Sequence, residues 1–205
     1  MKEIIYVGDP MCSWCWGFSP VLESIRQFLG DRLSLKLMVG GLRVDFAEIW
    51  DERFKGFLKH HWEDVHNKTG QPFSHDFFQR KQFDYITEAP CRAVVTLRKL
   101  SPENVFSYFK TLHHGFYAEN QDITEAKTLS ELAKPYDISP NHFIETFQSP
   151  EIIEETKMDF YKAKELGVRG FPSIVLKDGE KQSFLTVGYQ PFDELKPRIE
   201  SWLAQ

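Results

Sequence analysis

Two cysteines spaced by two residues, Cys12 and Cys15, fall at the junction between a strand pattern and a helix pattern, and that junction limits the folds open to the chain. Upstream, residues 4–7 form an apolar run of β-branched and aromatic side chains closed by Gly8-Asp9-Pro10, the pattern of a buried strand ending in a turn. Downstream, Phe18, Val21, Leu22, Ile25, Phe28 and Leu29 recur every three or four residues, the apolar face of one helix, and Gly30 supplies its stop. The segment Met11-Cys12-Ser13-Trp14-Cys15-Trp16 therefore lies past a strand end and opens a helix.

At a helix N-terminus the unpaired backbone N–H groups and the helix dipole favour negative charge, so a thiolate is stabilised there. Cys12 is the expected nucleophile and the exposed sulfur. Cys15, nearly one turn inside and shielded by its neighbours, is the expected resolving thiol, able to attack a mixed disulfide formed at Cys12. Two other readings of the pair stand beside this one. Half of a zinc site would need histidines, because the chain has one further cysteine, Cys91, and no second C-x-x-C. Two inert, buried cysteines in a core helix are also compatible with the spacing.

The next segment alternates Leu33, Leu35, Leu37 and Val39 with Ser34, Lys36 and Met38, which predicts a second strand ending at Gly40-Gly41. Strand, helix, strand makes a βαβ unit with parallel strands and a right-handed crossover. The cysteines then sit at the carboxyl end of the first strand, where open α/β sheets place their sites. From about residue 45 to residue 167 strand signals vanish and helical patterns replace them. Ser101-Pro102, Ser139-Pro140 and Ser149-Pro150 each join a capping residue to a proline suited to the first helical position. Ala89-Pro90 opens a further helix, and Ile123, Ala126, Leu129 and Leu132 mark one that stops before Pro135. Strands return at 173–176 and 183–187 around the turn Lys177-Asp178-Gly179-Glu180. A final helix carries Phe192, Leu195, Ile199 and Trp202, with Pro197 expected to kink or delay it. The expected architecture is α/β, with residues 1–44 and 168–205 forming one domain and 45–167 an all-helical insertion.

With 205 residues the chain is long enough to bury a sizeable core without a disulfide scaffold. Three cysteines, one unpaired by the motif, fit a reducing compartment. The first strand begins so close to Met1 that no secretory leader fits before it, and a cytoplasmic location is expected. No apolar run reaches the roughly 18 residues of a membrane span. A formal charge of −5 leaves no electrostatic footprint for nucleic acid. Eighteen phenylalanines point to large cores and to an apolar groove.

Two separated segments carry a family likeness. Cys12-Ser13-Trp14-Cys15 with Pro20 resembles the thioredoxin active-site helix, and Gly167-Val168-Arg169-Gly170-Phe171-Pro172-Ser173 resembles the thioredoxin run whose proline follows a cis peptide bond. With its helical insertion the chain is similar to the DsbA family of thiol-disulfide oxidoreductases, and to its FrnE-like branch. The resemblance implies a thioredoxin-like fold of βαβ and ββα halves with a large helical insertion. It also implies disulfide exchange with protein or small-thiol substrates, isomerisation included, with Cys12 and Cys15 catalytic and with Phe171 and Pro172 binding substrate; Trp14, which lies between the cysteines, is read as a further substrate contact from that position, with a core role as the alternative. A cis Pro172 would turn the Phe171 backbone toward the cysteines to pair with an extended substrate. Neither a cofactor nor a metal is called for. The sequence departs from the family at Tyr6, where a buried acid is usual, and at Ser13-Trp14, which leaves the redox potential open.

Related folds with the same insertion, the 2-hydroxychromene-2-carboxylate isomerases and kappa-class glutathione transferases, offer a glutathione-dependent alternative, although they generally lack the second cysteine. A non-enzymatic peptide-binding module is a third reading, motivated by the aromatic content. Of the remaining candidates, Asp9 is expected to be a solvated turn cap in preference to a proton-transfer group, and Cys91 a buried, inert thiol in preference to an additional redox or resolving thiol. His60, His61, His66, His113 and His114 are assigned to solvated helix faces. Arg169 is read either as a group that steadies a thiolate or as part of a surface ion pair.

Overall fold

The structure is a computed structural model that describes residues 2–205. Four strands form one mixed sheet: β1 (Lys2–Gly8), β2 (Leu35–Val39), β3 (Ser173–Asp178) and β4 (Lys181–Val187), in the order β2-β1-β3-β4. β1 pairs parallel to β2, with Ile4 opposite Leu35 and Gly8 opposite Val39. It pairs antiparallel to β3, with Tyr6 opposite Ile174, and β3 pairs antiparallel to β4 across a bulge at Ile174/Val175. β1 is apolar without alternation because it is central and covered on both faces, and Ile4 to Gly8 are all buried.

Between β1 and β2 runs α1 (Ser13–Leu29), with Pro20 inside it. Proline has no N–H for the carbonyl four residues back. The Trp16 carbonyl released in this way accepts instead from the Gln71 side-chain amide at 2.9 Å, so the helix continues without an orphaned acceptor.

The helical block holds α2 (Glu52–Thr69), α3 (Glu88–Leu100), α4 (Val105–Tyr117), α5 (Ala126–Ala133), α6 (Pro140–Phe147) and α7 (Pro150–Glu165). Ser139 and Ser149 cap α6 and α7 as expected, accepting from the amides of His142 and Ile152. Ser101 does not cap: its hydroxyl turns to the Glu103 carboxylate, residues 102–104 form a 3-10 turn, and α4 begins only at Val105. Ile123 is buried but precedes α5. The block also starts later than the pattern indicated, since residues 40–51 carry no helix and 70–87 only a 3-10 turn at His75–Gln79. α8 (Phe192–Leu203) closes the fold and runs through Pro197 without interruption.

One apolar core joins the sheet, α1 and the helical block, with Ile4, Phe18, Ile25 and Leu37 in the same cluster as Val94, Phe109 and Phe116. A smaller cluster on the opposite sheet face holds Ile5, Val7 and Val175 against Ala163 of α7. Much of the aromatic content lies in the core. Phe77 is fully buried, with the rings of Trp50, Trp62, Phe83 and Phe116 at 5.0–5.2 Å. Burial of a side chain of that size contributes about 1.5–3 kcal/mol. These rings bind α2 and α4 together beside the carboxyl end of β1.

Candidate active site

Cys12 is the N-cap of α1, in extended backbone geometry (φ −92°, ψ 113°), and Cys15 lies inside the first turn. The two come within 3.5 Å of each other. Cys15 has no exposed surface, and Cys12 retains 7 %, so Cys12 is less open than expected. The Phe171 backbone lies over it, and the Cys12 thiol donates to the Phe171 carbonyl at 3.7 Å. The Phe171–Pro172 peptide is cis, and the Pro172 carbonyl accepts from the Gly188 amide at 2.7 Å, fixing this loop to the end of β4. The Phe171 ring reaches over Gly40, where a Cβ would lie 2.0 Å from it, so only glycine permits that approach.

A groove of about 550 Å³ opens beside the pair, lined by Trp14, Phe171, Gly188 and Tyr189, with Asp64 and Lys68 of α2 at its rim. The Trp14 and Tyr189 rings stand 6.1 Å apart. Cys12, Cys15, Trp14, Phe171 and Pro172, far apart in sequence, are therefore assembled at one place. Arg169 is exposed.

Asp9 overturns its reading as a solvated cap, for it has no exposed surface. One carboxylate oxygen accepts from the Met11 amide at 2.8 Å. The other accepts from the Leu42 amide and the Thr87 hydroxyl, both at 2.7 Å, and from the Cys91 thiol at 3.2 Å. Burial raises its pKa, against those four donors, which lower it. Cys91 is buried as expected and serves as a donor to this carboxylate. The Asp9 carbonyl in turn accepts from the Cys12 amide at 3.1 Å, so the loop carrying the cysteines is tied through Asp9 to α3 and to the segment after β2.

His113 is the second correction. It is fully buried because α4 turns that face toward the loop that carries the cysteines, with Nε2 3.1 Å from the Asp9 carbonyl and the ring against Phe109 at 4.4 Å. Burial lowers its pKa to about 3, so the imidazole is neutral and donates through Nε2. His60, His66 and His114 are exposed as expected. The Tyr85 hydroxyl donates to the Met11 carbonyl at 2.7 Å and completes the support of the loop. Tyr85 and Thr87 come from a segment without periodicity, and no sequence signal marks them.

The environment of Cys15 is closed. Burial pushes its thiol well above the usual range, and the neighbouring Cys12 adds to that; the Tyr6 hydroxyl and the Asp9 backbone amide act in the opposite direction.

The family model for the DSBA-like thioredoxin domain matches residues 75–200. A candidate protein disulfide isomerase from Nitrosomonas europaea is 36% identical, with a TM-score of 0.92 over all of this chain and 98% of that one. The chain belongs to the DSBA-like thioredoxin domain family, whose fold is that of thiol-disulfide oxidoreductases. The cytosolic disulfide reductase DsbM from Pseudomonas aeruginosa shares the fold at 23% identity and a TM-score of 0.81, each chain covered to 98%, and has also been solved with GSH. Among curated proteins, the ClpXP adapter protein SpxH of Halalkalibacterium halodurans is 21% identical over 98% of this chain and 68% of its own length. Its Bacillus subtilis counterpart is 18% identical over 84% and 57% respectively. The chain thus spans roughly three-fifths to two-thirds of the length of these curated relatives.

Proposed function

We propose that the protein is a thiol-disulfide oxidoreductase whose Cys12/Cys15 pair exchanges with disulfides or thiols of peptide or small-thiol substrates, glutathione included. The observation that carries this reading is the Cys12 sulfur at a helix N-cap, within reach of Cys15 and beneath the Phe171 carbonyl, beside an aromatic groove. In the first step the Cys12 thiolate attacks a substrate disulfide; a Cys12–substrate disulfide forms, and the departing thiolate takes up a proton. In the second step Cys15, as thiolate, attacks the Cys12 sulfur, expels the other substrate thiolate and leaves the Cys12–Cys15 disulfide. Two electrons have passed to the substrate, and the reverse sequence oxidises a dithiol. Trp14 and Phe171 flank the incoming chain, and Pro172 holds the loop against β4. The odd cysteine count supports a reducing, cytoplasmic setting.

Thiol titration before and after mild oxidation tests the reading: two of the three thiols should disappear and return with a reductant, and failure of Cys12 and Cys15 to pair would reject it. Cys15→Ser should accumulate a mixed disulfide at Cys12. The glutathione-dependent isomerase or transferase reading needs one sulfur only, and conjugation surviving Cys15→Ser would restore it.

A second reading, a protein-binding role, is favoured by an exposed apolar group on the segment after β2 and on α2: Phe46 is 66 % exposed, Ile49 79 % and Phe57 51 %. Relatives described as adapters agree with it. Peptide capture unchanged by Cys12→Ala would support this role.

A further inference from the structure

We propose that the Tyr6 hydroxyl is a catalytic group of the resolving half-reaction, donating a hydrogen bond to the Cys15 sulfur as that sulfur becomes a thiolate; the inference rests on the thiol-disulfide reading above. Cys15 has no exposed surface, so water does not solvate the charge that must form there, and a buried ion without donors is strongly disfavoured. Around the sulfur stand Cys12, the Asp9 backbone amide and the Tyr6 hydroxyl. The Asp9 carboxylate is committed elsewhere, to Met11, Leu42, Thr87 and Cys91. Tyr6 is therefore the side-chain donor at hand.

Its hydroxyl is fully buried and uncommitted. It faces the Cys15 sulfur, and it makes no hydrogen bond to that sulfur or to any other group among the described residues. A buried hydroxyl left in that condition is costly in a structural residue, for which phenylalanine would serve as well. A donor held in wait for a transient charge accounts for it. The surroundings keep the ring in place: Phe18 stacks on it at 6.0 Å with an interplanar angle of 3°, and Phe109 meets it edge-on at 5.9 Å. Room for the hydroxyl comes from Gly8, two residues along the same strand face, where a Cβ would lie 2.7 Å from the Tyr6 oxygen.

The balance closes without another reactant. Cys15–SH and Cys12–S–S–R become Cys12–S–S–Cys15 and R–SH, so the proton lost by Cys15 ends on the departing sulfur. Tyr6 keeps its own proton, because burial first, and then Cys15, holds the phenol well above its ordinary range. The titratable groups that face it are Cys15, Cys12 and Asp9.

The test separates the two half-reactions in Tyr6→Phe, using a fluorogenic glutathione-type disulfide in stopped flow. The expected result is a mixed disulfide formed at the wild-type rate, resolution slowed about tenfold, and the pH for half-maximal resolution moved up by about one unit. Gly8→Ala, which displaces the hydroxyl and leaves it in place chemically, should slow the same step, and it decides the matter if Tyr6→Phe does not fold. Resolution at the wild-type rate with an unchanged pH profile would overturn the role of Tyr6. Failure of the wild-type protein to form or resolve a mixed disulfide would instead overturn the thiol-disulfide reading itself.

Discussion

The Cys12 thiol and the Phe171 carbonyl, 159 residues apart in the chain, meet at 3.7 Å. That contact brings the loop that follows the helical block onto the N-cap of α1 and lays the Phe171 backbone over the sulfur. Gly40 supports it from below, since the Phe171 ring occupies the space of a Cβ there. In Gly40→Ala the ring must swing away, and because it is half-buried and borders the groove the stability cost should be modest, about 1–2 kcal/mol. Exchange with peptide disulfides should suffer more than stability does. Denaturant melts beside Cys12 alkylation and exchange rates check this; unchanged exchange would mean that Phe171 does not control access.

Two buried titratable groups meet at Asp9, and they pull stability with pH in opposite directions. His113 has a folded pKa of about 3 against an ordinary 6.5, so its contribution is present above 6.5 and is lost as pH falls toward 3, about 3 kcal/mol by pH 4. Asp9 has a raised folded pKa, so its contribution is present below the ordinary 3.8 and is lost as pH rises through the folded value. His113→Phe should flatten the acid limb of the stability curve. Asp9→Asn, which leaves one acceptor oxygen where two serve four donors, should be less stable overall, yet its deficit against the wild type should shrink as pH rises. Chemical denaturation at pH 4, 5.5 and 7 reads both slopes, and parallel curves for His113→Phe and wild type would contradict a buried neutral imidazole.

The difference between Asp9 as expected and Asp9 as found marks where local pattern stops carrying information. The strand runs at 4–7, 173–176 and 183–187 lie within β1, β3 and β4, and the strand–cysteine–helix junction is where periodicity put it, because those elements are set by apolar spacing within a few residues. The partners of Asp9 lie 33, 78, 82 and 104 residues away, at Leu42, Thr87, Cys91 and His113. Only tertiary packing buries such a carboxylate, and a Gly-Asp-Pro turn reads the same whether it faces water or core. Segments 40–51 and 70–87 escaped for a related reason: they are held by distant bonds, such as Trp50 to the Arg80 carbonyl and the Thr87 amide to the Arg43 carbonyl. Tyr6 was visible as a departure from the family pattern, while its approach to Cys15 was not.

Charge at the groove rim gives a handle on substrate class. Lys68, in the last turn of α2, borders the groove with Asp64, and Asp64 already faces His60 at 3.5 Å. No ion-pair partner for Lys68 occurs among the described residues, so its ammonium is free to meet an anionic ligand. Lys68→Glu should raise KM for glutathione disulfide about 3- to 10-fold and leave a neutral disulfide such as hydroxyethyl disulfide nearly unaffected. The effect should fade in high salt, because the group is exposed. Equal losses on both substrates would remove Lys68 from recognition.

Pro20 and Gln71 form a pair whose coupling can be measured directly. Pro20 denies the Trp16 carbonyl its usual helical donor, and the Gln71 amide supplies the missing bond at 2.9 Å. In the wild-type background Gln71→Ala leaves that carbonyl without its protein donor and should cost about 1–2 kcal/mol. In a Pro20→Ala background the helix regains an N–H at position 20, which can bond Trp16 itself, so the same Gln71→Ala change should cost little. The double-mutant cycle therefore predicts a coupling of about 1 kcal/mol between residues that bond one carbonyl by turns. Thermal or urea unfolding of the four proteins measures it. Additive effects would show that Gln71 holds the loop before α3 by other contacts, and that the helix tolerates the freed carbonyl without help.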